Sequence, residues 1–221
     1  MTTMRLDDLK QYSDTLRTRS GEPLTVRFVE PRDSNELRNY FRSLSANSRY
    51  NRFFGPMREL HKLTHQPVNL SMRQGDEIVY IERAYSERSG MQVVRAIGTR
   101  APLHLTSVGK LFLAADDPQR VRAYATRTGL AGHTKNSLTQ LPALERELAK
   151  VRQYGNAHDN EELELGVRCM AAGIYDDQGR LVAGLSISAP ADRLDDSWMS
   201  KLQATANEIS LALGYRRAPG A

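Results

Sequence analysis

Residues 155–190 constrain the fold more than any other stretch, because they have the pattern of an acidic loop followed by a complete β-hairpin. Two apolar-rich runs flank residues 176–179, which are Asp, Asp, Gln and Gly and suit a tight hairpin turn. Successive side chains of a strand point to opposite faces, so Ser186 and Ser188 are expected on the same face. A polar set on an otherwise apolar sheet is typical of a small-molecule pocket.

The rest of the chain predicts strands joined by turns and helices grouped in blocks. Apolar alternation predicts strands at 68–72, 78–82 and 91–97. Helical spacing predicts helices at 106–115, 118–128, 142–154 and 195–215, the third ending at Gly155. This arrangement indicates an α+β domain with an antiparallel sheet flanked by helices.

Composition excludes several classes of protein. The chain has 221 residues and a single cysteine, which rules out an intrachain disulfide and fits a reducing, cytoplasmic setting. No apolar run approaches the roughly 20 residues of a membrane span, and the N-terminus lacks a signal-peptide pattern. A net charge of +5 permits nucleic-acid contact without arguing for it.

The first 55 residues predict an appendage of a strand and helices. Residues 1–19 have the spacing of a weak amphipathic helix or a frayed lead-in, and residues 24–29 alternate as a strand. Between residues 37 and 58, five arginines are interleaved with aromatic residues. Such a stretch can bind nucleic acid, but the helical spacing of the aromatic residues favours their burial.

Several separate motifs are similar to the effector-binding domain of the IclR family of transcriptional regulators. They are Pro67 to Leu70, Gly75 to Glu82, Pro102 to Lys110, Asp159 to Glu162, Leu165 to Ala172 and Leu185 to Pro190. The resemblance covers about residues 55–215 and implies a GAF/profilin-like antiparallel sheet, a domain at residues 56–217 and a homodimer or homotetramer. It also implies a non-enzymatic sensor of a small organic acid, with no cofactor, no metal and no membrane partner.

The start of the helix at residues 106–108 offers free backbone N–H groups, which suit a small carboxylate. The resemblance implies the same role for the amides of Ser107 and Val108. It further implies that polar specificity is set by Asp159, Cys169, Ser186 and Ser188, and that Val167 and Val93 help to wall the pocket.

Simpler interpretations of these residues stay open. Asp159 can be a turn residue, Cys169 can be a small apolar side chain, and the two serines can satisfy backbone groups. A metal site is a further interpretation, but its candidate ligands match no standard spacing; they are His158, Asp159, Glu161, Glu162, Glu164 and Cys169.

Residues 24–55 resemble the first strand and helices of GNAT acetyltransferases, through Val29 to Asp33, Phe41 to Ser45 and Arg52 to Gly55. This fragment stands where full IclR regulators carry a winged helix-turn-helix, so DNA binding is expected only if a DNA-binding domain is supplied elsewhere. The alternative function is an acyl-CoA-dependent N-acetyltransferase. Residues 152–157 formally match its R-x-x-G-x-A signature, although a predicted helix precedes them, where that signature needs a strand.

Overall fold

The computed structural model describes four stretches of the chain, namely residues 13–17, 21–27, 54–86 and 97–216. The chain divides into two compact units, Met1–Ser48 and Arg49–Ala221. The domain boundary that the sequence places at residue 55 stays a prediction.

In the first unit, β1 (Ser13–Arg17) and β2 (Pro23–Arg27) form an antiparallel hairpin. β2 confirms the predicted strand over residues 24–27, whereas residues 28 and 29 of that prediction lie outside the described residues. The weak helix predicted over residues 1–19 is wrong for residues 13–17, which form the strand β1. All five residues of β1 are paired with β2, and Thr15 lies opposite Thr25 in this register. A short helix with weak apolar spacing gains too little stability to compete with that pairing.

The second unit is built on a six-stranded antiparallel sheet. Its strands are β3 (Val68–Gln74), β4 (Glu77–Ala84), β5 (Arg100–Pro102), β6 (Asn156–Asn160), β7 (Val167–Tyr175) and β8 (Leu181–Pro190). The order across the sheet is β5-β4-β3-β8-β7-β6, and every neighbouring pair is antiparallel. This confirms the predicted antiparallel α+β architecture. The strand predicted at residues 91–97 lies outside the described residues except for Ile97, which is in a turn.

Five α-helices and two short 3₁₀-helices (Leu103–Leu105 and Asp196–Trp198) accompany the sheet in the described part of this unit, and the five α-helices are labelled α1 to α5. They are α1 (Gly55–Thr64), α2 (Ser107–Ala115), α3 (Pro118–Thr128), α4 (Leu141–Tyr154) and α5 (Met199–Ala212). The predicted stop at Gly155 is confirmed, since this residue has φ 67° and its N–H bonds to the Val151 carbonyl. Within the described ranges, no helix combines the length and apolar character that crossing a membrane requires.

Each face of the sheet packs against its own hydrophobic cluster. Alternation along β7 sends Met170 and Ile174 to one face, where they pack with Leu202 of α5. It sends Ala171 to the opposite face, where the cluster includes Leu144 of α4. The period-two pattern of the sequence therefore places two layers of helices around one sheet.

The β7–β8 hairpin confirms the turn predicted at residues 176–179, where the Gly179 N–H bonds to the Asp176 carbonyl. The loop expected before the hairpin is wrong in part, because residues 156–160 form the edge strand β6. Ala157 is fully buried opposite Ala171 of β7, and it is the only apolar residue of β6. This single buried position and the pairing with β7 hold an otherwise polar strand on the sheet. Asp159 consequently lies in a strand and not in a turn.

A buried ion pair joins α2 to the segment that follows β6. The side chain of Lys110 is fully buried, and its Nζ donates to Glu162 Oε1 at 2.6 Å and to the His158 carbonyl at 2.7 Å. Glu147 Oε1 of α4 lies 3.8 Å from the same nitrogen. Removing a charge from water is costly, and it is compensated here by an opposite charge and a further hydrogen bond.

Replacing Lys110 by Met should lower the free energy of unfolding by about 3–5 kcal/mol, because the buried Glu162 carboxyl loses its cation. Urea denaturation followed by far-UV circular dichroism measures this change. The matched control is Lys62→Met, which breaks a pair of similar length (2.7 Å to Glu59 Oε1) whose side chains are 66% and 68% exposed. The control should cost less than about 1 kcal/mol, and equal losses in the two variants would contradict the importance of burial.

Candidate ligand-binding site

A cavity lies between the N-terminus of α2 and one face of the sheet. The space in it that can hold a water-sized molecule is about 30 Å³. Seven of the eight residues that the sequence singles out line it together, namely Ser107, Val108, Asp159, Val167, Cys169, Ser186 and Ser188. The eighth, Val93, lies outside the described residues. Their positions therefore converge, while their roles in binding stay predictions.

The N-terminus of α2 presents backbone donors to this cavity. Thr106 is the N-cap, and its Oγ1 accepts the Gly109 N–H at 3.1 Å. The N–H groups of Ser107 and Val108 precede the first intrahelical acceptors, and the structure gives them no partner among the described residues. Two donors at the positive end of a helix dipole form a site for a carboxylate.

Close packing of α2 on the sheet depends on Gly184 of β8. A Cβ atom at this position would lie 2.5 Å from Cγ1 of Val108, a distance that real contacts do not show. The absence of a side chain lets Val108 rest on the strand, so the first turn of α2 lies directly above the polar residues of β8. The valine side chain thus also anchors the helix on the sheet.

A polar row crosses three strands beneath the helix. Asp159 of β6 lies opposite Cys169 of β7, which lies opposite Ser188 of β8. Directly opposed residues share a face, so these side chains meet on the cavity side. Ser188 Oγ is 3.2 Å from Cys169 Sγ and 3.2 Å from Asn69 Nδ2, and both groups act as donors. Since Ser188 accepts both bonds, its own hydroxyl proton is left to bind a ligand acceptor.

Ser186 lies two residues before Ser188 on the same face. It is 4% exposed and lines the cavity, and its side chain forms no hydrogen bond within the described ranges. A serine hydroxyl in a cavity wall can donate a hydrogen bond to a polar ligand or accept one from it.

Burial raises the pKa of Asp159 to about 7, and this effect exceeds the opposing influence of its backbone hydrogen bonds and of Lys110. Asp159 Oδ1 accepts the Glu162 N–H at 2.8 Å. A carboxyl group with this pKa is about half protonated at neutral pH, so it can donate a hydrogen bond to a ligand or accept one.

Sequence reasoning missed several residues of the cavity wall. They are Pro67, Asn69, Ile78, Tyr80, Arg83, Thr106, Leu163 and Glu164. Alternation in the predicted strand at 68–72 was a usable signal for Asn69, which lies opposite Ser186. No sequence pattern indicated Arg83. A β-bulge at Ile81 reverses the alternation of β4 after Tyr80, so Arg83 lies on the cavity face of the sheet.

The acetyltransferase interpretation has no support in the geometry of residues 152–157. They run from the end of α4 through Gly155 into β6, whereas the acyl-CoA signature needs a strand before it and a helix after it. In the described stretches of the chain, no three His, Cys, Asp or Glu side chains are grouped to hold a metal ion. Of the GNAT-like residues 24–55, the structure describes only 24–27, 54 and 55, so that resemblance stays a prediction.

Comparison with known proteins identifies relatives of this domain. Residues 44–211 match the family model of the C-terminal part of the bacterial transcriptional regulator IclR. The HTH-type transcriptional repressor AllR of Escherichia coli K12 is 36% identical over 170 residues, which are 75% of this chain and 62% of AllR. The chain thus spans less than two thirds of the length of that curated relative.

Two solved structures show the same fold. The C-terminal domain of the E. coli regulator KdgR is 34% identical, with a TM-score of 0.67, and the match covers 75% of this chain and 98% of that domain. A double mutant of the inducer-binding domain of PobR from Acinetobacter, in complex with 3-hydroxybenzoic acid, is 27% identical with a TM-score of 0.65, over 71% of this chain and 94% of that one. The chain belongs to the IclR family of bacterial transcriptional regulators and contains the C-terminal ligand-binding domain of that family.

Proposed function

We propose that this domain senses a small organic acid. The acid's carboxylate accepts hydrogen bonds from the amides of Ser107 and Val108. Its remaining oxygen atoms contact Asp159, Cys169, Ser186 and Ser188, while Val167 and Val93 wall the site. The observation that carries this proposal is the placement of two unpartnered helix amides above a buried polar row in one cavity.

Three features favour an acid over a neutral ligand. The helix N-terminus stabilises negative charge. The half-protonated Asp159 can donate to an oxygen of an anion, which an ionised carboxylate cannot do. The inducer-binding domain of PobR, a relative with the same fold, is solved with 3-hydroxybenzoic acid.

We infer a regulatory and not a catalytic role, since the family consists of transcriptional regulators. Effector binding would shift the equilibrium between conformations of an oligomer that presents DNA-binding domains. The homodimer or homotetramer, the cytoplasmic location and DNA binding through a domain supplied elsewhere stay predictions.

A carboxylate that binds this cavity should raise the melting temperature of the protein, because it binds only the native state. The test is a thermal-shift screen with glyoxylate, pyruvate, hydroxybenzoates and short dicarboxylates. Wild type should respond to at least one acid, and the double variant Asp159→Ala/Ser188→Ala should lose that response.

The matched control is Asp192→Asn/Ser200→Ala, two exposed positions that do not line the cavity. It should respond as wild type does. A response that survives in the cavity variant would place the acid elsewhere on the protein. A wild type that responds to acetyl-CoA and to none of the acids would favour the acetyltransferase alternative.

Affinity for the acid should fall as pH rises through about 7, because ionised Asp159 repels an anionic ligand and no longer donates a hydrogen bond. Above that pH the association constant should drop by up to about tenfold per pH unit. Isothermal titration calorimetry between pH 5.5 and 8.5 measures this dependence. The Asp159→Asn variant should bind with an affinity that is nearly independent of pH.

Stability of the unliganded protein should depend on pH in the same direction. Asp159 has a higher pKa in the folded protein than in the unfolded chain, where it titrates near 3.9. Its contribution to the free energy of unfolding is therefore complete below the unfolded-state pKa and is lost as pH rises through about 7.

A ligand affinity that rises with pH in wild type, or that falls equally in Asp159→Asn, would contradict the role given to the Asp159 carboxyl.

A further inference from the structure

The volume of the cavity limits the size of the molecule that it can hold. Its space for a water-sized molecule is about 30 Å³. A protein cavity that takes up benzene measures about 150 Å³, which is roughly 25 Å³ for each carbon atom. The enclosed space therefore accommodates a group of one or two non-hydrogen atoms, and an aromatic ring needs about five times as much room.

The side chain of Val108 forms a rigid part of the cavity wall. It is 1% exposed and packs on the backbone of Gly184, where an added Cβ atom would lie 2.5 Å from Cγ1 and 2.9 Å from Cγ2. Both methyl groups are thus in contact with β8. A valine in a helix also has one strongly preferred side-chain rotamer. A ligand cannot gain room by turning this side chain or by pressing it towards the sheet.

The first turn of α2 is itself fixed in place on either side of Val108. A Cβ atom at Gly109 would overlap the carbonyl oxygen of Leu103, so the helix lies directly on the 3₁₀-turn that precedes it. Lys110 is fully buried and holds Glu162 at 2.6 Å. A ligand therefore cannot enlarge the cavity by displacing the helix without breaking these contacts.

The apolar residues that face α2 across the cavity are also closely packed. Ile78 and Tyr80 of β4 are buried and belong to the same hydrophobic cluster as Val108, and Leu163 packs against that cluster. Protein interiors have a packing density close to that of organic crystals. Moving any of these side chains would open a void elsewhere in the cluster, which costs free energy.

We propose that this cavity selects acids of two or three carbon atoms and that the side chain of Val108 sets this limit. The inference rests on the proposed function, because the carboxylate is the one held at the N-terminus of α2. Val108 then has two separate roles. Its backbone N–H binds the carboxylate, while its methyl groups exclude any acid whose remaining part is longer than about two carbon atoms.

The experiment uses a series of 2-oxo acids in which each member is one methylene longer than the last, namely glyoxylate, pyruvate, 2-oxobutyrate and 2-oxovalerate. Isothermal titration calorimetry measures each acid, and 3-hydroxybenzoate, with wild type, Val108→Ala and Val108→Thr. The matched control is Val121→Ala, because Val121 is also 1% exposed and lies in the same cluster but does not line the cavity.

Wild type and Val121→Ala should bind glyoxylate or pyruvate and should lose at least about tenfold in affinity at 2-oxobutyrate. Neither should bind 3-hydroxybenzoate. Val108→Ala keeps the backbone donor and removes two methyl groups, so its affinity for 2-oxobutyrate should stay within about threefold of that for pyruvate. Val108→Thr keeps the size of the side chain and should keep the limit of wild type.

The measurement on wild type tests the size limit without any substitution, so a folding defect in a variant, detected by circular dichroism, does not decide the result. Equal affinity of wild type for pyruvate and 2-oxovalerate, or binding of 3-hydroxybenzoate, would overturn the inference and leave the sensing function intact. A limit that is unchanged in folded Val108→Ala would also overturn it. If wild type binds none of these acids and no other acid of the screen, the proposed function itself fails, and the inference fails with it.

Discussion

The buried pair of Lys110 and Glu162 is the interaction on which the cavity depends. Lys110 lies on α2 one turn after Ser107, and Glu162 lies three residues after Asp159. The 2.6 Å contact thus joins the wall that supplies helix amides to the wall that supplies the carboxyl. Because Asp159 also accepts the Glu162 N–H, a displacement of this segment would disturb the pKa and the position of the carboxyl together.

Several polar groups in the cavity wall form no hydrogen bond within the described part of the chain. They are the amides of Ser107 and Val108 and the side chain of Ser186. A ligand that supplies acceptors to such groups gains free energy from the hydrogen bonds that it forms with them. Incomplete pairing of this kind is expected at a binding site, where local rules of stability are relaxed in favour of recognition.

Sequence patterns were sufficient for those parts of the fold that follow regular periods. The hairpin of β7 and β8, the helix caps and the shared face of Ser186 and Ser188 follow from alternation and turn chemistry. β6 was missed because only Ala157 carries its apolar signal, and pairing with β7 supplies the rest. Arg83 was missed because a bulge reverses the alternation of β4, and the insertion of one residue leaves no mark in composition. The pairing of Lys110 could not be predicted, since its partner Glu162 lies 52 residues away in sequence.

Three sets of polar groups in the cavity wall are positioned by three different structural features. The helix amides depend on the N-cap Thr106 and on Gly184, the central hydroxyls depend on strand register, and the guanidinium depends on the bulge at Ile81. A change at one source alters one end of the cavity without refolding the others. Removing the bulge would replace Arg83 by Glu82 on the cavity face and reverse the charge at that end. A local change in backbone can therefore alter the polar groups at one end of the cavity while the N-terminus of α2 keeps its position on β8.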